Sequence, residues 1–171
     1  MLKFPPLKPK PLPQRLIYKS GDRYTMFSTK DGKTLGRMIA EEKFYGKIAE
    51  EDYEFYPKKE NYISLYITVL HAKIKRQGVG RAFINFAKHL ANNERCQNRI
   101  TLLAMNNQER NILDAPSPFY RKCGFSSAEK PGLEDVDRVI KGLKPKHGEW
   151  YCSLPMYLPV KIVKNKDFLD C

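Results

Sequence analysis

The segment best equipped for chemistry is Lys75-Arg76-Gln77-Gly78-Val79-Gly80-Arg81-Ala82. Two glycines let a backbone turn tightly and approach a ligand with no side chain in between. Lys75, Arg76 and Arg81 surround them with positive charge. If a helix opens here, its first N–H groups lack intrahelical acceptors and carry the positive end of the helix dipole. That combination suits a pyrophosphate. Two familiar phosphate loops are excluded. A dinucleotide fingerprint needs a third glycine where Phe83 stands, and a Walker loop needs a Lys-Ser or Lys-Thr pair that does not follow. The plainer alternative is a glycine turn that only starts a helix. A second segment, Phe119-Tyr120-Arg121-Lys122-Cys123-Gly124-Phe125, places a phenol beside a thiol. Taken alone, Tyr120 reads as a packing residue beside Phe119. Cys123 has no adjacent base to activate it and reads as packing too.

The elements around these segments follow from periodicity. Tyr62–Leu70 is β-branched, aromatic and apolar on both faces, which predicts a central strand covered on both sides. From Val79 the pattern turns helical, with Val79, Phe83, Phe86, Ala87 and Leu90 on one stripe and Asn92-Asn93 at the stop. Arg99–Met105 is the next buried strand, so 62–105 is a strand–helix–strand unit that can join parallel strands. Ser117-Pro118 opens a short helix as N-cap and first helical residue, Gly124 ends it, and Phe125 begins another strand. Val136, Val139, Ile140 and Leu143 predict a further amphipathic helix over 133–143, expected as a lid or wall over the acceptor side. Trp150–Leu158 reads as a late strand interrupted by Pro155.

Upstream, Tyr24–Ser28 and Thr34–Ile39 flank an Asp31-Gly32 turn and predict a hairpin. Residues 41–60, with seven acids against four bases, read as loop or irregular helix. Residues 1–20 hold five prolines and five bases and no acid, and read as a mobile basic arm. The domain organisation expected is thus an arm over 1–20 and a single domain over 21–171.

Composition narrows the function classes. A chain of 171 residues with 42% hydrophobic and 29% charged residues suits one globular domain. Its longest apolar stretch, Tyr62 to Ala72, is about half the ~20 residues that a spanning helix needs, and MLKFPPLKPKPLP lacks an apolar signal core. Cys96, Cys123, Cys152 and Cys171 show no paired spacing and read as free thiols; with three histidines, none at ligand spacing, no metal site is expected. These features point to the cytoplasm. A net charge of +12 favours an anionic ligand or partner.

Strand, basic GxG, helix, strand, then a short helix reading FYxxxGF resembles the GNAT superfamily of N-acetyltransferases, of bacterial type, over residues 62–125. The resemblance implies an α/β fold whose central mixed, twisted sheet splays between two parallel strands, flanked by helices. It implies acetyl-CoA as co-substrate and acetyl transfer to a primary amine by direct attack. Carried over by position, it implies that the N–H groups of Arg76, Gln77, Gly78, Val79, Gly80, Arg81 and Ala82, with Lys75, hold the CoA pyrophosphate. Val69 and Leu70 would pair with the pantetheine arm, and Tyr120 would protonate the leaving thiolate. Lys75 stands where Arg or Gln is usual, and Arg76 replaces a common glycine. Leu113 occupies the place of a frequent asparagine, for which Asn111 or Ser117 could substitute. The usual N-terminal helical pair is not evident in residues 1–60.

The chemistry needs a free amine. Deprotonating a lysine-like ammonium at pH 7 costs about 4–5 kcal/mol, whereas an α-amine needs far less. The predicted strand 62–70 has no acid or histidine, so the base candidates are Glu51, Asp52, Glu54, Glu60, His71 or a water chain. The expected partners are CoA and an amine on a neutral or anionic carrier: a peptide or protein, an amino acid derivative or an aminoacylated RNA. A polycationic small molecule is disfavoured by the charge, and a homodimer is a further association open to the chain. Two other readings stay in view: a basic nucleic-acid-binding module, and a family member that binds acyl-CoA without turnover.

Overall fold

The extended segments of the chain pair into one sheet. In the computed structural model, which describes residues 14–46, 55–56, 61–106, 115–147 and 153–160, six strands lie in sequence order: β1 (Arg15–Ser20), β2 (Arg23–Ser28), β3 (Thr34–Tyr45), β4 (Tyr62–Ala72), β5 (Ile100–Met105) and β6 (Ser153–Tyr157). Three helices accompany them: α1 (Val79–Ala91), α2 (Pro116–Lys122) and α3 (Lys130–Ile140). Neighbouring strands are antiparallel except β4 and β5, which run parallel because α1 carries the chain across between them. This is the expected α/β fold with a mixed central sheet.

The hairpin comes out as predicted, with Gly32 at φ 68° and the Asp31 carboxylate accepting the Lys33 N–H at 3.1 Å. Residues 15–20, expected within the arm, form a strand. Arg15–Ser20 pairs with Ser28–Arg23 as an edge strand, because the Gly21-Asp22 turn brings it back onto β2. Residues 41–45 continue β3 instead of entering a loop, since Glu41–Tyr45 pair with Tyr66–Tyr62. No helix precedes α1 among the described residues.

The core lies between the sheet and α1. Phe83, Ile84, Ala87 and Ala91 are buried there against Met26, Met38, Ile67 and Leu102. Phe86 and Leu90, expected on the same stripe, are only partly buried at its edge, where Phe86 meets Tyr24 edge-on with ring centroids 5.3 Å apart. The lower end of the sheet is tied by buried hydroxyls: Ser64 Oγ and Thr101 Oγ1 lie 2.7 Å apart, and Tyr45 Oη reaches Thr101 Oγ1 at 3.3 Å. Tyr56 Oη donates to the Leu158 carbonyl at 2.6 Å and accepts the Ile100 N–H at 3.2 Å. The upper end is open. β4 and β5 pair only over Leu65–Ile67 and Ile100–Leu102, although both strands run on. At the same level Thr68 is the extra residue of a bulge against β3, since Ile39 faces Val69 and Ala40 faces Ile67. A bulge bends its strand, and here the bend coincides with the splay.

Two details of the later elements differ from expectation. Phe125 begins no strand; Ser126 makes a single bridge to Tyr157. The predicted helix over 133–143 runs over Lys130–Ile140, and Leu143 is 50% exposed beyond its end. Pro155 sits inside β6, an edge strand, where its missing N–H costs no ladder bond with a further strand.

Candidate active site

The splay of β4 from β5 leaves a cleft of about 790 Å³, walled by Thr68–Ala72 of β4, Leu103 and Met105 of β5, the loop and first turn at 74–81, and the start of α2. No acidic side chain is among its described lining residues. The cations Lys75, Arg76 and Arg81 are.

The segment expected to form a phosphate cradle has a clear local structure. Gly78 is the N-cap of α1 in a left-handed conformation, φ 76°, which glycine adopts without cost. No side chain caps the helix and no acid stands in its first turn. The first intrahelical bond is from the Ala82 N–H to the Gly78 carbonyl, at 3.0 Å. The N–H groups of Gly78, Val79, Gly80 and Arg81 therefore have no acceptor among the described residues. Arg76 is also left-handed, φ 65°, which explains why a glycine is common there. A β-carbon in this conformation is strained, at ~1–2 kcal/mol. The loop keeps a cation at that cost.

Three expected ligand positions are placed differently from the rest. The Ala82 N–H is engaged in the first helical bond. Gln77 does not line the cleft; its carbonyl points to β1, where Arg15 Nη2 donates to it at 2.6 Å. Ser117 is not the N-cap of α2: Ala115 is, with extended backbone, and Pro116 takes the first helical position. Ser117 is fully buried off the cleft lining; its N–H donates to Asn106 Oδ1 at 3.1 Å and its Oγ has no partner. Asn111 lies outside the described residues, as do Glu51, Asp52, Glu54 and Glu60. Val69, Leu70, Lys75, Arg76, Gly78, Val79, Gly80, Arg81 and Tyr120 all border the cleft, and so does His71.

Gly80 has a second reason to be glycine. A β-carbon there would meet Phe119 Cζ at 2.9 Å, inside contact distance. The close approach brings the starts of α1 and α2 to the same cleft. Arg121 fixes α2 from the other side, donating to Asp137 of α3 at 2.8 Å and to the Phe125 carbonyl at 3.0 Å. Gly124 ends α2 at φ 100°, with bonds from the Gly124 N–H to the Arg121 carbonyl and from the Phe125 N–H to the Tyr120 carbonyl. α3 buttresses α2 and is not among the described lining residues of this cleft.

Tyr120 is thus held from both ends, with Phe119 and Phe125 at ring distances of 5.3 and 5.7 Å. Burial, and to a lesser degree the neighbouring Cys123, push its phenol well above the ordinary tyrosine range. Its hydroxyl has no hydrogen-bond partner among the described residues. Burial also pushes the Cys123 thiol up, against smaller opposing effects of Arg81 and Lys88. That thiol is not an activated nucleophile.

Sequence reasoning did not find Thr68, Ile74, Leu103, Met105, Phe119 or Arg15 at the site. Ile74 and Met105 are apolar yet 54% and 40% exposed, as suits walls of a cleft for a partly apolar ligand. A usable signal existed only for Phe119, which stands inside the FYxxxGF segment.

Among known proteins, the Acetyltransferase (GNAT) family matches residues 4–125. No curated protein matches the sequence. Several solved structures are similar. A bacterial toxin has 13% identity and a TM-score of 0.47, over 80% of this chain and 65% of its own. The Bacillus subtilis N-acetyltransferase YlbP, solved with coenzyme A, has 16% identity and a TM-score of 0.43, over 80% of this chain and 66% of its own. A histone acetyltransferase and related acetyltransferase of Corynebacterium glutamicum has 16% identity and a TM-score of 0.47, over 83% and 66%. The chain thus spans just under two thirds of the length of each.

Proposed function

This chain belongs to the acetyltransferase (GNAT) family, and on that premise we propose that it moves an acetyl group from acetyl-CoA to a primary amine by direct attack. The observation that carries the reading is the uncapped, acid-free start of α1 opening onto the cleft between the splayed strands, with Tyr120 in the same cleft. Acetyl-CoA supplies the activated acyl group, a thioester whose departing thiolate must gain a proton.

The residues present fit that co-substrate. The amides of Gly78, Val79, Gly80 and Arg81 are donors with no acceptor among the described residues, and Lys75, Arg76 and Arg81 add formal charge for the phosphates. Beyond Ile67, β4 has lost β5 as a partner, so Val69 and Leu70 have backbone groups for the amides of an extended arm. A backbone N–H at this end of β4 would hold the oxyanion. Tyr120 keeps its proton at neutral pH and can donate it to sulfur. The pKa gap between thiol and phenol, ~1.5 units in water, need not widen, because the burial that raises the phenol also raises a thiol beside it. Among the described cleft residues His71 carries the one imidazole and is the candidate to take a proton from the amine; a water chain is the alternative.

For the acceptor we favour an amine on a neutral or anionic carrier: a peptide or protein, an amino acid derivative or an aminoacylated RNA. With β1 and β2 joined by Gly21 and Asp22 alone, the sheet face opposite α1 keeps Tyr18 65% exposed. Across it Tyr18, Thr25, Arg37 and His71 face one another strand by strand up to the cleft. A large acceptor has room there. No helix among the described residues is long and apolar enough to cross a membrane, and Cys96 and Cys123 are free and buried. We place the activity in the cytoplasm.

Thermal-shift titration with acetyl-CoA, CoA and a short RNA tests the reading. Acetyl-CoA and CoA at 100 times their dissociation constants should stabilise the protein by about 2.7 kcal/mol. Stabilisation by RNA alone would replace this reading with a nucleic-acid-binding one.

A further inference from the structure

We propose that Arg15, at the start of β1, is a positioning residue for the phosphate cradle: it anchors the Gln77–Gly78 peptide so that the Gly78 amide faces the ligand. The proposal rests on the acetyl-CoA reading and adds to it a residue 62 positions away in sequence.

The geometry is specific. Arg15 Nη2 donates to the Gln77 carbonyl at 2.6 Å. Arg15 Nη1 lies 3.9 Å from the point that a β-carbon on Gly78 would occupy. The peptide is trans, so its carbonyl and its N–H point in opposite directions. Holding the Gln77 carbonyl on Arg15 therefore turns the Gly78 N–H to the far side. The cleft is on that far side: Arg76, Gly78 and Val79 line it, and neither Arg15 nor Gln77 does. Arg15 sits behind the loop and polarises, through the peptide, the donor that the loop presents.

An external anchor is needed here for a physical reason. Gly78 lacks a β-carbon and can take either sign of φ with similar ease, so local sterics do not choose between the two orientations of the peptide before it. Arg76, two residues earlier, is already in a strained left-handed conformation. The loop thus has two left-handed residues flanking Gln77 and no helical hydrogen bond to its carbonyl. Arg15 takes that carbonyl and selects the orientation. Because the anchor is on an edge strand, pairing of β1 and occupation of the cradle are thermodynamically linked, and each should strengthen the other.

The test compares the parent with Arg15→Met, Arg15→Lys and, as a charge control on the neighbouring strand, Arg23→Met. Calorimetry with CoA and with pantetheine, which lacks the pyrophosphate, reads the cradle. Arg15→Met should bind CoA about tenfold more weakly and pantetheine unchanged. Arg15→Lys, which keeps a donor, should recover most of the loss, and Arg23→Met should stay within about twofold of the parent. Equal losses in Arg15→Met and Arg23→Met would reduce Arg15 to part of the general positive field and overturn the proposal. Equal losses for CoA and pantetheine would reduce it to a structural residue. A ligand-free readout separates this proposal from the acetyl-CoA reading. The Gly78 amide should give one sharp resonance in the parent, and a doubled or broadened one in Arg15→Met. An unchanged resonance overturns the anchor whether or not CoA binds. If the parent shows the anchor and binds no CoA, it is the acetyl-CoA reading that fails. Should Arg15→Met not fold, Arg15→Ala with the same resonance decides.

Discussion

Tyr120 shows what one residue gains from its surroundings. Its phenol is raised because burial disfavours the phenolate, and no cation is placed to counter that. It therefore stays protonated across the neutral range and is suited to donate. Tyr120→Phe should leave CoA affinity intact and lower single-turnover acetyl transfer by roughly 10²–10⁴-fold. The sign of the pH effect follows from the raised pKa. The proton is present at neutral pH and is lost only as the pH rises through the raised value, so the contribution of Tyr120 should persist past pH 10, where a free tyrosine titrates. Rates measured across pH in both proteins check this. Equal rates at every pH would leave Tyr120 a packing residue.

At the scale of elements, the site depends on how closely α1 and α2 approach. Gly80 is the contact point, and Phe119 fills the space that a side chain would need. Gly80→Ala should cost about 1–3 kcal/mol, as overpacking does, because Phe119 must move. Phe119→Leu should remove part of that penalty. A double-mutant cycle by denaturant unfolding reads the coupling, which should exceed 0.5 kcal/mol for residues in contact. Additive effects would mean that the two helices adjust independently. The contact also bears on phosphate binding, since a substitution at Gly80 acts on the cradle both directly and by pushing α2 away. At Gly78 the nearest atom to an added β-carbon is Arg15 Nη1 at 3.9 Å, so there the φ of 76°, rather than crowding, would oppose a side chain.

For the whole molecule the dominant property is charge. The net value is +12, and residues 72–99 hold seven bases against one acid. Exposed charges act over about 8 Å at physiological salt, so the field should steer acceptors as well as CoA. Acceptors on neutral or anionic carriers should outperform polycationic amines at low salt, and the advantage should shrink at moderate salt. A panel of amines assayed at two ionic strengths checks this. If polycationic amines prove best, an acidic pocket must override the field, and Glu51, Asp52 and Glu54 are the first residues to replace.

The local pattern of this sequence determines much of the molecule. The apolar run at Tyr62–Leu70, the helical stripe after Val79 and the Asp31-Gly32 turn each dictate an element, because side-chain periodicity and backbone preference act over a few residues. The GxG segment was legible for the same reason, whereas Tyr120 taken alone reads as packing and is singled out only by the resemblance that its FYxxxGF segment carries. What the tertiary structure decided are relations between distant segments. The splay of β4 from β5 depends on hydroxyls at Ser64 and Thr101 closing one end and a bulge at Thr68 bending the other. The burial that raises Tyr120 comes from α1, α2 and Phe125 together. Arg15 reads in the sequence as part of a basic arm, yet strand pairing through β2 brings it behind a loop 62 residues later. That the Ala82 N–H is spent on the helix and that Gln77 stands off the described cleft lining depend on where the helix begins and how the loop meets β1. No local pattern encodes these, because each is set by hydrogen bonds and packing that exist only after the strands have assembled.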